Sequence, residues 1–439
     1  MKHFLFAALM ATGLSTALQA DPLLAGAATA DISPRKLPAI RNGGFLQGLW
    51  KRVDDPLFAR ALVIKSGPET VALCVVDSCM LPTDVCEQIK TLVTQDTGIP
   101  GSRILISATH THSAPSTMAM CLGTRKDEAY TAQMLPQVAA AITTAHRRLK
   151  EAKAGWTAVD AHAYTNCRRW IRRPDKVGQD PFGDKTIRAM MHPGYLSADS
   201  LAPSGPTDPQ LSLLSFVDAQ SGKPICVLAN YSMHYFGSGD GFSADYSGEV
   251  SRGLEKALGG ETVGIVTQGT SGDQHWMDYS RAKKEGYTRQ QYSEGLTALA
   301  LEAWKQIQHR PDLPVTMAEA KLPLGRRLPS PERLKWAAIL NEQRGTIPPR
   351  NQPEVYAEQA AWIHENPKTE LVLQALKIGD LGIAAMPNEV FGITGLKIKQ
   401  QSPLAATFNI ELANGAEGYI PPPEQHRLGG YTTWPARTA

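Results

Sequence analysis

The pattern that decides the fold is clearest in RILISATHTH, residues 103–112, where an apolar run rich in β-branched residues stops at a polar cluster. Such a run is typical of a buried strand, and the polar residues after it belong to the loop at the strand end. The pattern recurs in segments 224–234, 262–273 and 381–389. Four groups of polar side chains are therefore predicted to lie at the ends of strands.

These runs alternate with segments of helical periodicity, which predicts an α/β fold. Short turns at 66–69 and 379–380 each join two strands into a hairpin, so the sheet should be mixed. We expect residues 21–439 to form a single large domain, in which helices flank a mixed β-sheet and the active site lies at the strand ends. The predicted helices cover 82–97, 127–153, 248–258, 287–309, 332–342 and 355–365.

The N-terminal segment, residues 1–20, is typical of a secretory signal peptide. Lys2 and His3 precede an apolar run at 4–14, and small and polar residues continue to Ala20. The run is too short to cross a bilayer, and no later stretch approaches the required length. We therefore expect a periplasmic or secreted mature protein with no transmembrane segment.

Charge and cysteine usage exclude some other classes. The net charge of +3 comes from interspersed acids and bases, which argues against a nucleic-acid partner and leaves a small-molecule or lipid substrate. Six cysteines in an exported chain permit disulfides, but none forms a C-x-x-C pair. Cys74 and Cys226 lie inside apolar runs, so we expect both to be small buried hydrophobes.

Residues with metal-binding chemistry stand at three of the predicted strand ends. His110 and His112 are two residues apart in extended chain, so both can point to the same side. They could bind one metal together, one could be a ligand beside an acid or base, or both could be solvated. His234 and Glu389 follow other apolar runs, and two histidines with a carboxylate are typical of a catalytic zinc site. No H-E-x-x-H motif is present.

Several segments carry a family resemblance. Residues 107–115, SATHTHSAP, resemble the T-H-T-H-S-x-P segment of the neutral, non-lysosomal ceramidases. Residues 386–391, MPNEVF, resemble the P-G-E-F segment of that family, with Asn388 in place of the usual glycine. Segments 167–169 and 230–234 resemble its N-R-S and N-F-x-x-H segments, and Tyr419 and Tyr431 keep its tyrosine spacing. The matches occur in the family's order from about residue 25 to 432.

The resemblance implies a zinc-dependent hydrolase in which water activated by Zn²⁺ attacks an amide bond. It assigns the metal to His110, His234, Glu389 and Tyr419. It also implies that His112 acts as acid or base, while Arg168 and Tyr431 stabilise the developing oxyanion. Without the resemblance, Arg168 would be interpreted as a surface residue and Tyr419 as a packed aromatic.

Departures from the family concern the substrate. The family segment G-D-x-S-P-N is replaced by GDQHWM, residues 272–277, and we predict that Asp273, His275 and Trp276 contact the substrate. His275 could act as an acid or base, or could orient a polar substrate. We also expect a divergent member that lacks the C-terminal immunoglobulin-like domain of typical ceramidases, so ceramide is one substrate among several candidates.

Other interpretations remain open at this point. An esterase could use the same zinc scaffold, and an exported glycan- or lipid-binding protein could keep the metal without catalysis. A serine hydrolase is disfavoured because Ser271 is not in a G-x-S-x-G motif. Asp245 could support a ligand histidine or cap the next helix, and segment 171–209 could be a linker or an ordered loop over the site.

Overall fold

A computed structural model describes residues 21–237 and 239–438. The predicted signal peptide, residues 1–20, lies outside the described residues. Within the described chain, no helix is both long and apolar enough to cross a membrane.

The largest sheet has eight strands and is mixed. Its strands are β1 Leu24–Asp31, β2 Phe58–Ser66, β3 Glu69–Val76, β4 Ile104–Ala108, β5 Lys150–Asp160, β6 Gln210–Asp218, β7 Pro224–Tyr231 and β8 Val263–Gln268. They lie in the order β8-β7-β6-β5-β1-β2-β3-β4. The pairs β7–β8 and β3–β4 are parallel, and the neighbours between them are antiparallel. The predicted hairpin of β2 and β3 is present.

A second sheet of four strands packs on one face of the first. It contains β9 Val315–Gly325, β10 Lys368–Ile378, β11 Leu381–Ala385 and β12 Ala406–Ile410, in that order. The second predicted hairpin is formed by β10 and β11. Apolar side chains from both sheets share one buried core, for example Leu62 and Phe216 with Leu376 and Phe408. Burial of this interface is the main force that holds the sheets together.

The α-helices of the described chain are α1 Thr83–Thr97, α2 Glu128–Arg147, α3 Asp245–Leu258, α4 Arg289–Trp304, α5 Pro331–Arg344, α6 Gln352–Glu365, α7 Gly392–Gln401 and α8 Pro423–Leu428. The first four cover the other face of the large sheet. The α1–α2 pair packs on β2, β3 and β4, and the α3–α4 pair packs on β6 and β7. The prediction of an α/β fold with a mixed sheet flanked by helices is confirmed.

The helix predicted over 127–153 is too long. The structure ends α2 at Arg147 and starts β5 at Lys150. Lys150 and Glu151 pair with β1, and the rest of the strand pairs with β6. Lys150, Glu151 and Ala152 are good helix formers, so their local preference favours a helix. Pairing with β1 and β6 outweighs that preference.

Two open alternatives are also resolved. Asp245 is the first residue of α3, and its carboxylate accepts hydrogen bonds from the backbone N–H group of Tyr246 in the first turn and from those of Phe236 and Gly237. Segment 171–209 is ordered, because strands Arg169–Arg172, Ala189–Met191 and Ser200–Pro203 form a small sheet. All six cysteines are buried and free, as expected for Cys74 and Cys226.

Candidate metal centre

The predicted metal ligands meet where several strands end. His110 follows β4, and its φ of 60° lies in the left-handed region, a strained conformation for a non-glycine residue that is common at functional sites. His234 follows β7, and Glu389 lies in a two-residue strand after β11. That strand pairs in parallel with Tyr419–Ile420, and the register places Glu389 opposite Tyr419.

Strands β4 and β7 lie near opposite edges of the large sheet, yet the loops after them touch. The Nε2 atoms of His110 and His234 are 3.0 Å apart. The sheet must therefore be strongly coiled, in the sense that strand twist accumulates across many strands.

The spacing of the donor atoms fits a small divalent metal. The Nε2 atom of His110 lies 3.0 Å from Glu389 Oε1, and that of His234 lies 3.6 Å from the same oxygen. In a tetrahedral zinc site with bonds of about 2.0–2.1 Å, neighbouring ligand atoms are about 3.3 Å apart. The three residues form a buried group that could hold a metal ion.

The hydrogen bonds of the two histidines turn their lone pairs toward one another. His110 Nδ1 donates to the Cys79 carbonyl at 2.9 Å, and His234 Nδ1 donates to the Ser271 carbonyl at 3.2 Å. A carbonyl can only accept, so each Nδ1 carries the proton and each Nε2 presents a lone pair to the Glu389 carboxylate. Burial, with Arg168 nearby, lowers the pKa of His234 well below its ordinary value and keeps it in the neutral, ligating form. A cation between these atoms would relieve their mutual repulsion.

Arg168 is buried beside the cluster and is not a surface residue. Its Nη2 donates to the Tyr419 hydroxyl and to the Gly272 carbonyl, both at 2.9 Å. Burial opposes its charge, but Tyr419, Tyr235 and Glu389 together raise the pKa of Arg168 above its ordinary value. Burial and then Glu389 raise the pKa of Tyr419 well above its ordinary value. The site therefore holds a fixed cation against a phenol hydroxyl.

His112 and Tyr431 complete the predicted set. His112 Nε2 lies 3.2 Å from His110 Nε2, and the His112 ring stacks on Tyr235 with centroids 3.8 Å apart. Burial and the neighbouring His110 lower the pKa of His112 well below its ordinary value, so it is a neutral base. Burial raises the pKa of Tyr431, which packs edge-on against Tyr419 and keeps its proton. All seven residues assigned to metal binding or catalysis are brought together.

Two solved structures resemble this arrangement of strands and helices. The crystal structure of neutral ceramidase from Pseudomonas aeruginosa matches with a TM-score of 0.69 and 16% identity, over 95% of this chain and 71% of that one. A structure described as ceramidase complexed with C2 matches with a TM-score of 0.68 and 16% identity, over 95% and 72%. The chain has the ceramidase fold. No family model and no curated protein matches the sequence.

The three residues predicted to contact substrate lie behind the metal pocket. Asp273 is fully buried and accepts from the Gly392 N–H at 2.8 Å. His275 is buried between the rings of Tyr235 and His192. Trp276 stacks on Phe236, and its indole N–H donates to the Phe236 carbonyl. None of the three is among the residues that line the pocket over the cluster.

That pocket is a cavity of about 50 Å³ with a polar floor and an apolar wall. His110, His112, Glu389, Tyr419 and Tyr431 form the floor. The wall is made mainly of flexible or small side chains, Met80, Met118, Met120, Cys121 and Leu122. Methionine side chains adapt readily to a ligand, so this wall can change shape when a substrate enters.

Glu411 was not among the residues predicted from sequence, and it supports the candidate metal ligands. Its buried carboxyl accepts from the Ser271 hydroxyl at 2.6 Å and from the Val390 N–H at 2.7 Å. Ser271 in turn holds His234, and Val390 is the neighbour of Glu389, so one carboxyl steadies two ligands. Burial raises the pKa of Glu411 well above its ordinary value. Glu411 directly follows β12, and the same strand-end pattern that marks His110 could have identified it.

Proposed function

We propose that the protein is an exported zinc-dependent hydrolase that cleaves an amide bond of an N-acylated compound. The observation that supports this most strongly is the convergence of His110, His234, Glu389 and Tyr419 beside a buried Arg168. Both similar solved structures are ceramidases by name, which supports an N-acylated lipid as one substrate class. Ligand donors next to a fixed cation and a neutral base are the parts that hydrolysis of an acyl bond requires.

When bound, zinc would polarise the acyl carbonyl and lower the pKa of water in the site. His112 then takes a proton from the attacking water and delivers it to the leaving amine, so that one water converts the amide into an acid and an amine. Arg168 and the Tyr431 hydroxyl are proposed to stabilise the carbonyl oxygen, where negative charge develops. Donors fixed in this way stabilise the transition state more than the substrate.

Asp273, His275 and Trp276 are proposed to act on the substrate through the pocket floor. His275 packs against Tyr235, which stacks on His112. The Asp273 backbone carbonyl accepts from the Arg168 N–H at 2.8 Å. These residues would therefore fix the positions of His112 and Arg168, and substitutions should change the rate more than the metal content.

The test is hydrolysis of a panel of N-acyl amides and the matching esters by the purified protein. We expect amide hydrolysis that stops on treatment with a chelator, returns on addition of zinc, and resists a serine-directed acylating reagent. Turnover of esters alone would favour the esterase on the same scaffold. Binding of panel members without any turnover would favour the non-catalytic binding protein.

Export is proposed from residues 1–20 and has its own test. Expression in a Gram-negative host, with mass analysis of the periplasmic fraction, should give a chain that begins near Asp21. A full-length chain retained in the cytoplasm would contradict export while leaving the enzymatic proposal intact.

A further inference from the structure

The metal pocket contains a positively charged residue that the chemistry above does not use. Arg437 lines the same cavity as His110, Glu389 and Tyr431. Its guanidinium lies 5.5 Å from the centroid of Trp362. Within the described chain it has no ion pair, and its Nε atom is buried with no hydrogen-bond partner. A guanidinium carries five N–H donors in a planar fork. A guanidinium without an ion pair beside a pocket can therefore donate to an acceptor on a bound ligand.

The nearby acidic residue, Glu417, makes no ion pair with Arg437 among the described residues and is paired with another arginine. Glu417 acts electrostatically on Arg437, but both of its carboxylate oxygens accept from Arg326 Nη2 at 3.1 Å. Burial lowers the pKa of Arg437, and the charge on Arg326 adds to this effect. Arg437 thus adds a positive charge beside the Arg326–Glu417 ion pair, in which the two charges already cancel. Such a charge is unfavourable without a counter-ion and becomes favourable when an anion binds beside it.

Arg41 adds positive charge next to the pocket. Its guanidinium packs over Trp50 and lies against Gly44, which lines the cavity. It forms no ion pair among the described residues, and its one hydrogen bond to a neighbour is a long contact of 3.4 Å to the Asn42 carbonyl. Two unpaired guanidinium groups therefore flank a cavity whose remaining wall is apolar. The combination matches a ligand that has an apolar part and a negative charge.

We propose that Arg437 is an anion subsite and that the substrate is an acyl compound carrying a carboxylate, such as an N-acyl amino acid. The inference rests on the proposed hydrolase function, since it names the substrate class of the same site. A carboxylate matches the planar fork of a single arginine, with two parallel N–H···O bonds. The apolar wall of Met80, Met118, Met120 and Leu122 would hold the acyl part.

The subsite is tested first by binding to the metal-free protein, so that a carboxylate cannot bind zinc instead. N-hexanoylglycine and the neutral N-hexanoylglycinamide are compared by calorimetry. We expect the carboxylate to bind at least about tenfold more tightly, since a charge-assisted pair is lost in the amide. Arg437→Gln should abolish the difference, Arg437→Lys should keep part of it, and Arg281→Gln, an exposed control, should keep all of it. Equal binding of the two compounds, or an undiminished preference in Arg437→Gln, would overturn the proposal.

Turnover by the zinc-loaded protein separates this proposal from the hydrolase function. The two proposals are both supported if the carboxylate has a lower KM than the neutral amide and this advantage depends on Arg437. Arg437→Gln should then raise the KM of the carboxylate at least about tenfold and change the KM of the amide little. Hydrolysis of the two compounds at equal KM would keep the hydrolase and remove the anion subsite. Carboxylate-selective binding without turnover of any acyl compound would keep the subsite and remove the hydrolase. A thermal melt of each variant confirms that it is folded.

Discussion

His110 and His112 lie side by side but are held in different ways. The Cys79 carbonyl fixes the proton on His110 Nδ1, whereas the His112 ring stacks on Tyr235. We predict that His110→Ala loses the bound zinc, while His112→Ala keeps it and loses about 10²–10⁴-fold in kcat as a general base. Elemental analysis and steady-state kinetics of the two variants check this. Loss of zinc in both would make His112 a ligand.

Arg168 offers a second test at this scale. Its guanidinium contacts the Tyr419 hydroxyl and the Gly272 carbonyl from a buried position. Arg168→Gln should lower kcat by about 10²–10³, the usual effect of removing a donor to an oxyanion, with zinc content unchanged. Arg281→Gln is the exposed control. A rise in KM with an unchanged kcat would assign Arg168 to substrate binding and not to the transition state.

Residues of the candidate metal centre could be predicted from the sequence where they follow a predicted strand and belong to a distinctive motif. His110, His234 and Glu389 satisfy that condition, and their side chains meet. Tyr235 and Arg437 do not, because an isolated tyrosine or arginine is usually structural or solvated. Only the folded chain stacks Tyr235 on His112 and brings Arg437 to the pocket.

At the scale of elements, the loop after strand β12 carries Glu411. Its carboxyl contacts Ser271, which holds His234, and Val390, the neighbour of Glu389. Glu411→Gln keeps the shape of the side chain but replaces one acceptor with an N–H₂ group. We predict about 10–100-fold weaker zinc binding, since partners of metal ligands commonly have effects of this size. Competition with a chelator measures the affinity, and Glu417→Gln, outside the Ser271 contact, is the comparison. Unchanged affinity in Glu411→Gln would mean that the ligands are held without it.

The predicted elements were those with a strong local signal. Strands β2, β3, β4 and β7 are continuous apolar runs, and their positions are confirmed. Strands β1, β5 and β9 were not predicted because alanine, lysine and glutamate dominate them. Their extended conformation comes from pairing with distant strands, which local composition does not encode.

For the whole molecule, buried histidines make stability depend on pH. Burial lowers the pKa of His192 to about 3, with Arg168 adding to the effect. Above about pH 6.5 the residue is neutral in both states, so it contributes no pH dependence. As the pH falls from about 6.5 toward 3, His192 binds a proton in the unfolded chain but not in the folded chain. The free energy of unfolding therefore decreases.

Burial raises the pKa values of some carboxyl groups, including those of Asp77 and Asp273, and these groups make the folded state more stable as the pH falls. The effect of His192 is therefore measured as the difference in unfolding free energy between the unaltered protein and a His192 variant. The unfolding free energy of the metal-free protein, minus that of His192→Gln, should be constant above about pH 7 and should fall below about pH 6.5. Denaturant unfolding at a series of pH values measures it. A difference that does not change with pH would mean that His192 has the same pKa in the folded and the unfolded protein.

The zinc content of the purified protein tests the central claim most directly. Elemental analysis is made in parallel on the unaltered chain and on His110→Ala and Glu389→Ala. We predict about one zinc per chain in the unaltered protein and its loss in both variants, because each removes one of the ligands that meet at this cluster. Zinc absent from the unaltered protein, or fully retained by both variants, would contradict the metal centre.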